Sequence, residues 1–267
     1  MQWNELAPLR NNAWIQRLEF HQSLPSTNDQ AASLAAEDQL ACPALVLAVE
    51  QTAGRGRGGN RWWSARGGLM FSLVLDPASV VRPAVGNWTG YSLAAGLAVC
   101  EALDNLCQTS SSQLIPEFRL KWPNDVYARE RKVCGILCES PTNARGRLIV
   151  GIGVNVNNSF QTAPAELAET ATALCDLDGQ QRNIVAVLDS ILQELQRRFY
   201  DLDQLGLSPI LQAWQEKSLL TGRTVQLQFG QQIYTGRCLG IDEGGSLILL
   251  TEQGRQSFAA GSILQFE

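Results

Sequence analysis

A chain of 267 residues, 45% hydrophobic and 18% charged, is long enough to bury one large core with a small module appended, and too apolar to be disordered. Its net charge of −5 and pI near 5.1 argue against broad nucleic-acid binding, and no apolar run reaches the length of a membrane span. The lone histidine, His21, excludes zinc sites built on two histidines, and the seven scattered cysteines read as reduced thiols of a cytoplasmic protein.

Residues 3–20 hold a short helical segment and then a strand, Ile15 to His21, which leaves His21 at a boundary. Leu24-Pro25-Ser26-Thr27-Asn28-Asp29 leads into an alanine-rich helix running to about Leu40. Ser26, Thr27 or Asn28 suits the cap of that helix, and the same hydroxyls with the helix N–H groups suit a polar ligand. The two readings are compatible.

Ala44 to Glu50 is a nearly continuous apolar run, a buried strand, and it delivers the stretch EQTAGRGRGGNRWWSAR, residues 50–66. Gly54, Gly56, Gly58 and Gly59 make this loop costly to hold still, while Arg55, Arg57, Arg61 and Arg66 supply positive charge and Trp62 and Trp63 supply flat faces. That combination suits a loop folding over a small anion, with arginine forks on oxygens and an aromatic lid on a ring.

Gly68 to Asp76 is a second strand, closed by Asp76-Pro77. A long helix spans Thr89 to about Cys107, with Asn87 or Thr89 near its start, and Thr109 to Ser112 is a polar loop. Glu117 to Lys121 is a strand that ends in Lys121-Trp122-Pro123-Asn124-Asp125. Proline stops or bulges the strand, so Lys121 stands at its end beside a bend that Asn124 and Asp125 can hydrogen-bond. A lysine facing inward there is costly without an anion.

Val133 to Glu139 and Leu148 to Asn157 are further strands. Cys134 and Cys138 share one strand face as core thiols, and Gly151 and Gly153 mark a bulge or a close approach to the backbone. Asn155 and Asn157 fall on one side of this strand. Ala171 to Cys175 forms a helical turn, Asn183 to Leu202 an amphipathic helix, and Ile210 to Leu219 one more. From Thr221 the texture changes to short strands at Val225–Phe229, Ile233–Ile241 and Ser246–Leu250, with turns at Gly230-Gln231 and Glu243-Gly244-Gly245.

Taken in order, Ser26-Thr27-Asn28, Gly54-Arg55-Gly56-Arg57, Lys121-Trp122-Pro123-Asn124-Asp125, Cys134-Gly135-Ile136-Leu137 and Gly151-Ile152-Gly153-Val154-Asn155 resemble the biotin protein ligase family along almost the whole chain. The resemblance implies an α+β fold. A mixed sheet packed with helices, of the class II synthetase-like biotin–lipoate ligase type, would occupy residues 1–219, and a small SH3-like β-barrel residues 220–267. It implies a two-step ligation: biotin and ATP give biotinyl-5′-adenylate and pyrophosphate, and a carrier lysine then takes the biotin. Lys121, Arg55 and Arg57 match the catalytic positions. Ser26, Thr27, Asn28, Gln51, Gly54, Arg55, Lys121 and Gly135 match the biotin site, and Arg55, Arg57, Trp62, Asn124 and Asn155 the adenylate site. Mg2+ is implied by the ATP chemistry, with no ligands assigned. The implied partner is the biotin carboxyl carrier protein of acetyl-CoA carboxylase, and the assembly a monomer or homodimer. The family's bifunctional members carry an N-terminal winged helix-turn-helix; about 25 residues precede Ser26, so no DNA binding is expected. Gly58 and Asn60 stand where many relatives have further arginines, which bears on how tightly the adenylate is kept.

Overall fold

The computed structural model describes residues 3–10, 12–76, 88–108 and 117–267; the expected Thr109–Ser112 loop, Pro77 and Asn87 lie outside them. Seven strands form the large sheet: β1 (Arg17–Leu24), β2 (Ala44–Gln51), β3 (Leu69–Leu75), β4 (Arg119–Lys121), β5 (Asp125–Ala128), β6 (Arg131–Glu139) and β7 (Leu148–Val154). Their order is β1-β2-β3-β7-β6-β5-β4, parallel between β1 and β2 and antiparallel elsewhere.

The two-residue period of the strands divides their side chains between two faces. Leu45 and Leu47 of β2, Phe71 and Leu73 of β3, and Val150 and Ile152 of β7 enter the main core. That core also takes the apolar sides of α3 (Thr89–Gln108) and α6 (Ile184–Leu205). The alternate residues Val46, Ala48, Val74 and Ile149 pack with Ala31, Leu34 and Ala35 of α2 (Thr27–Ala35) on the opposite face. Helix α2 stops five residues short of the expected Leu40, which stays buried against the same cluster from the following loop.

Other elements differ in extent. A 3-10 turn at Trp3–Leu6 and α1 (Ala7–Arg10) precede β1, which runs to Leu24 and so past His21. Strand β7 ends at Val154, leaving Asn155 and Asn157 beyond the sheet. The expected turn at Ala171 to Cys175 is instead α4 (Ala165–Thr170) followed by α5 (Leu174–Asp178). Asn183 caps α6 by accepting from the N–H groups of Val185 and Ala186. Helix α7 (Ser208–Glu216) closes this part of the chain.

The C-terminal residues form a five-stranded antiparallel sheet of β8 (Thr224–Phe229), β9 (Gln232–Ile241), β10 (Leu247–Thr251), β11 (Gly254–Phe258) and β12 (Ser262–Phe266). Its hydrogen-bonded order is β11-β10-β9-β8-β12. Val225, Leu227, Leu247 and Leu249 join the main core, so the two sheets share one apolar interior. No helix among the described residues is long and apolar enough to cross a membrane.

Candidate active site

Strand register brings the conspicuous motifs to one end of the large sheet. Lys121 pairs with Asp125, Asp125 with Gly135, Gly135 with Gly153, and Gly153 with Met70, a cross-strand row through five strands. The next row runs Leu137, Gly151, Ser72, Val46. The cleft above these rows has a volume of about 210 Å³.

The strand glycines are explained by what lies against them. A Cβ on Gly151 would stand 1.9 Å from Asn28 Oδ1, and one on Gly153 would stand 2.5 Å from Trp62 Cε2. A Cβ on Gly135 would meet Trp62 and Lys132 at 3.1 Å. The close approach expected in β7 is therefore made by two site side chains, Asn28 and Trp62.

The glycine–arginine loop folds into a small hairpin. Gly56 N–H donates to Asn60 O at 2.7 Å, Trp62 N–H to Gly54 O at 3.0 Å, and Arg55 bridges Arg61. Gly58 sits at φ +66° in the 3-10 turn Arg57–Gly59, a conformation that favours glycine. A Cβ on Gly54 would come within 2.8 Å of Trp62 O, so that glycine lets the second arm cross. The result carries the Trp62 ring over the glycine floor, with Lys132 Nζ 5.7 Å from the ring centre.

A polar network closes the opposite side. Thr27 donates through N at 2.7 Å and Oγ1 at 3.0 Å to Gln51 Oε1, and Gln51 Nε2 donates to Ser64 Oγ at 3.1 Å. Ser72 Oγ lies 2.8 Å from Thr27 Oγ1 and 2.7 Å from Asn28 Oδ1, while Asn28 Nδ2 donates to Glu139 at 2.7 Å. Ser26 occupies the N-cap position of α2 but makes no side-chain cap bond; Gln51 meets the Thr27 N–H instead. The cap reading of Ser26 thus gives way, because this helix start is built into the cleft.

Five cations, Arg55, Arg57, Arg61, Lys121 and Lys132, line the cleft with one carboxylate, Asp125. Such an excess in a chain of net charge −5 points to an anionic ligand. Lys121 Nζ lies 3.2 Å from Tyr127 Oη and 5.5 Å from the Phe266 ring centre. Burial holds its pKa below the ordinary lysine value, with Asp125 opposing and Lys132 adding to the shift. Burial likewise lowers Arg57, whose Nη2 donates to Gly261 O of the C-terminal sheet. Lys132 pairs with Asp125 at 2.6 Å. Asn124 brackets the bend, its side chain donating to Ile136 O and its carbonyl accepting from Ile136 N–H.

Of the residues expected in the site, Ser26, Thr27, Asn28, Gln51, Arg55, Arg57, Trp62, Lys121, Asn124 and Gly135 line the cleft. Gly54 does not line it. Asn155 is buried beneath, where Asn158 donates to its Oδ1 at 3.0 Å and its Nδ2 lies 3.4 Å from Lys132 O. Lys132, Ser72 and Glu139 were not expected: alternation from Gly135 leads to Glu139, whereas Lys132 has the opposite parity and reaches this face through the register shift between β5 and β6, and Ser72 through its pairing with Gly151. Ser262 and Ile263 of the C-terminal sheet complete the wall. His21 is outside the cleft, and Cys134 and Cys138 lie on the helix-covered side; burial pushes the Cys138 thiol up to about 12. Among the described residues no three His, Cys, Asp or Glu side chains cluster as metal ligands, and Asp125 is already paired.

A larger cavity of about 710 Å³ lies at the other end of the sheet, lined by Trp14, Tyr91, Phe199, Asp76 and Asp203 among others. Its carboxylates give it the wrong charge for a phosphate.

Residues 20–157 match the Biotin/lipoate A/B protein ligase family, and residues 220–264 match the Biotin protein ligase C terminal domain. The chain is 33% identical over 241 residues to a biotin–[acetyl-CoA-carboxylase] ligase of Paracoccus denitrificans, covering 89% of this chain and 96% of that protein. It is 31% identical over 258 residues to the bifunctional ligase/repressor BirA of Bacillus subtilis, covering 96% and 76%. The biotin protein ligase of Aquifex aeolicus, solved in complex with biotin and ATP, superposes with a TM-score of 0.79 at 31% identity, covering 95% of this chain and 99% of that one. With the first match spanning just over half of the chain and the second its C-terminal sheet, the chain belongs to the biotin/lipoate A/B protein ligase family and carries the biotin protein ligase C-terminal domain.

Proposed function

We propose that this chain is an ATP-dependent biotin protein ligase. The observation that carries the reading is the cleft itself: Arg57, Arg61, Lys121 and Lys132 around Asp125, between a glycine floor under Trp62 and a neutral polar network. A biotin carboxylate oxygen attacks the α-phosphorus of ATP, the bond to the β-phosphate oxygen breaks, and pyrophosphate leaves. Charge grows on phosphate oxygens in that step, and fixed cations in a partly dry cleft stabilise it without a histidine base. Lys121 and Arg57 are assigned to the reacting phosphate, Lys132 and Arg61 to the departing one, and Trp62 to the adenine face. The neutral network of Ser26, Thr27 and Gln51 suits a ureido ring, whose donors and acceptors need polar partners when covered. In the second step a carrier lysine amine attacks the acyl carbon and AMP leaves.

The proposed acceptor is the biotin carboxyl carrier protein of acetyl-CoA carboxylase, and magnesium enters only as the companion ion of ATP. Asn155, which bonds the Lys132 carbonyl and the Asn158 side chain, is assigned to holding the backbone at Lys132, and the adenine contact is assigned to Trp62. We place the boundary between the catalytic unit and the C-terminal unit at residues 219 and 220, just before β8 begins a separate sheet. Action in the cytoplasm fits the seven free cysteines, and the net charge of −5 fits a protein that does not bind DNA.

Pyrophosphate exchange tests the reading. Labelled pyrophosphate is expected to enter ATP when biotin is supplied and not when lipoate is supplied. Exchange with lipoate alone would move the chain to the sister activity. Biotin binding without exchange would make it a sensor.

A further inference from the structure

Arg55 differs from the other cations of the cleft, because its guanidinium is already met by carboxylates. Nη1 and Nη2 donate to Glu139 Oε1 and Oε2 at 2.8 and 2.7 Å, a bidentate fork, and Nη2 lies 2.9 Å from Asp29 Oδ1. Two carboxylates on one guanidinium leave this corner with a surplus of negative charge. An incoming phosphate or carboxylate would have to break the fork to use Arg55.

The fork joins three segments far apart in sequence. Glu139 ends β6 on the cleft face, Asp29 lies in the first turn of α2, and Arg55 opens the hairpin. Glu139 Oε2 also accepts from Asn28 Nδ2 at 2.7 Å, and Asn28 in turn fills the space over Gly151. Arg55 and Arg61 are bridged, and Trp62 follows Arg61, so any shift of Arg55 passes to the ring over Gly153.

We infer that Glu139 is a positioning residue of the ligation reaction: with Asp29 it makes Arg55 the tie that holds the 54–62 hairpin over the cleft, so that Arg55 is not a substrate contact. The inference rests on the ligase reading for what the cleft holds, but not for the tie. It also gives Arg55 a second effect. The guanidinium screens two carboxylates that would otherwise repel anionic substrates.

The two roles for Arg55 predict opposite signs for Glu139→Gln. A tie that is cut raises KM for biotin and ATP about tenfold, with a smaller change in kcat, and speeds amide exchange across residues 54–62 in protein without substrate. A substrate-binding arginine released from its fork would leave KM unchanged or lower it. Arg55→Met is expected to be worse than the Arg55→Met/Glu139→Gln pair, since the single change strands the carboxylates beside the substrate anions. Unchanged exchange across the hairpin in Glu139→Gln, at an unchanged unfolding midpoint, overturns the tie, as does a lowered KM. Faster hairpin exchange in Glu139→Gln alongside a wild type inactive in pyrophosphate exchange would sustain the tie and sink the substrate assignment.

Discussion

Lys121 shows how burial turns a common side chain into a reagent. Taking its ammonium out of water costs free energy, which lowers the pKa from the ordinary 10.5, and Asp125 opposes the shift while Lys132 adds to it. Substrate phosphates need the charged form, so pyrophosphate exchange should fall as pH rises through a midpoint below 10.5. Lys121→Arg, which stays charged, should lose that alkaline limb whatever its rate; a limb that persists there belongs to another group. The stability sign runs the other way. A buried lysine with a depressed pKa costs stability at every pH below that pKa, and the cost fades as pH approaches 10.5. Lys121→Met is therefore expected to stabilise the fold by about 1 kcal/mol near pH 7 while cutting adenylation about a thousandfold. Urea titrations at pH 7 and above pH 10.5 measure the first part, and an equal gain at both would disprove it. The lysine and its bend were legible because Pro123 fixes where the strand stops. Lys132 was not, because it reaches Asp125 only through the register of β5 with β6.

At the scale of elements, β7 is the strand whose sequence makes least sense alone and most sense in place. Its core face, Leu148, Val150, Ile152 and Val154, is ordinary, while Gly151 and Gly153 on the other face receive Asn28 and Trp62. A methyl at Gly151 would strike the buried Asn28. At Gly153 it would strike a half-buried ring that can move aside. Gly153→Ala should therefore fold, at a cost of about 1 kcal/mol, yet weaken ATP binding about tenfold by lifting Trp62. Calorimetry on Gly153→Ala, Trp62→Ala and the double variant checks this, since two changes acting through one ring should not add. Additive losses would separate Gly153 from Trp62. Sequence alone identified these glycines as points of close approach but could not name the approaching groups, which come from β1–α2 and from the hairpin. It missed β5 and its turn into β6 because Arg129 and Glu130 adopt φ +47° and +62° without the glycine or asparagine that normally marks such a turn. Strand β11 was missed for a different reason: Arg255, Gln256 and Ser257 are polar, and Phe258 is the one buried residue of the strand.

At the scale of the molecule, the small sheet is part of the cleft and not an appendage. Ser262 and Ile263 line it, Arg57 reaches Gly261 O, and the Phe266 ring stands beside Lys121. The texture change near Leu220 was visible in sequence because strand and helix periods differ. The docking was not, because it depends on contacts such as that of Trp122 with Gly245. Trp122 is 2% exposed and donates Nε1–H to Gly245 O at 3.0 Å. Gly245 has φ +81°, and a Cβ there would lie 2.7 Å from Leu93 Cδ1, so the turn is pressed onto the start of α3. Trp122→Phe keeps most of the apolar volume but leaves a buried carbonyl without its donor, a loss of about 1–3 kcal/mol. Because one core runs through both sheets, the variant should still unfold in a single urea transition at a lower midpoint. It should also lose pyrophosphate exchange activity beyond its loss of stability, since the neighbouring Lys121 shares a wall with Phe266. Two separate transitions, or full activity in the folded variant, would mean that the C-terminal sheet merely sits beside the cleft. One transition with impaired exchange would make the contact between the sheets a component of the site.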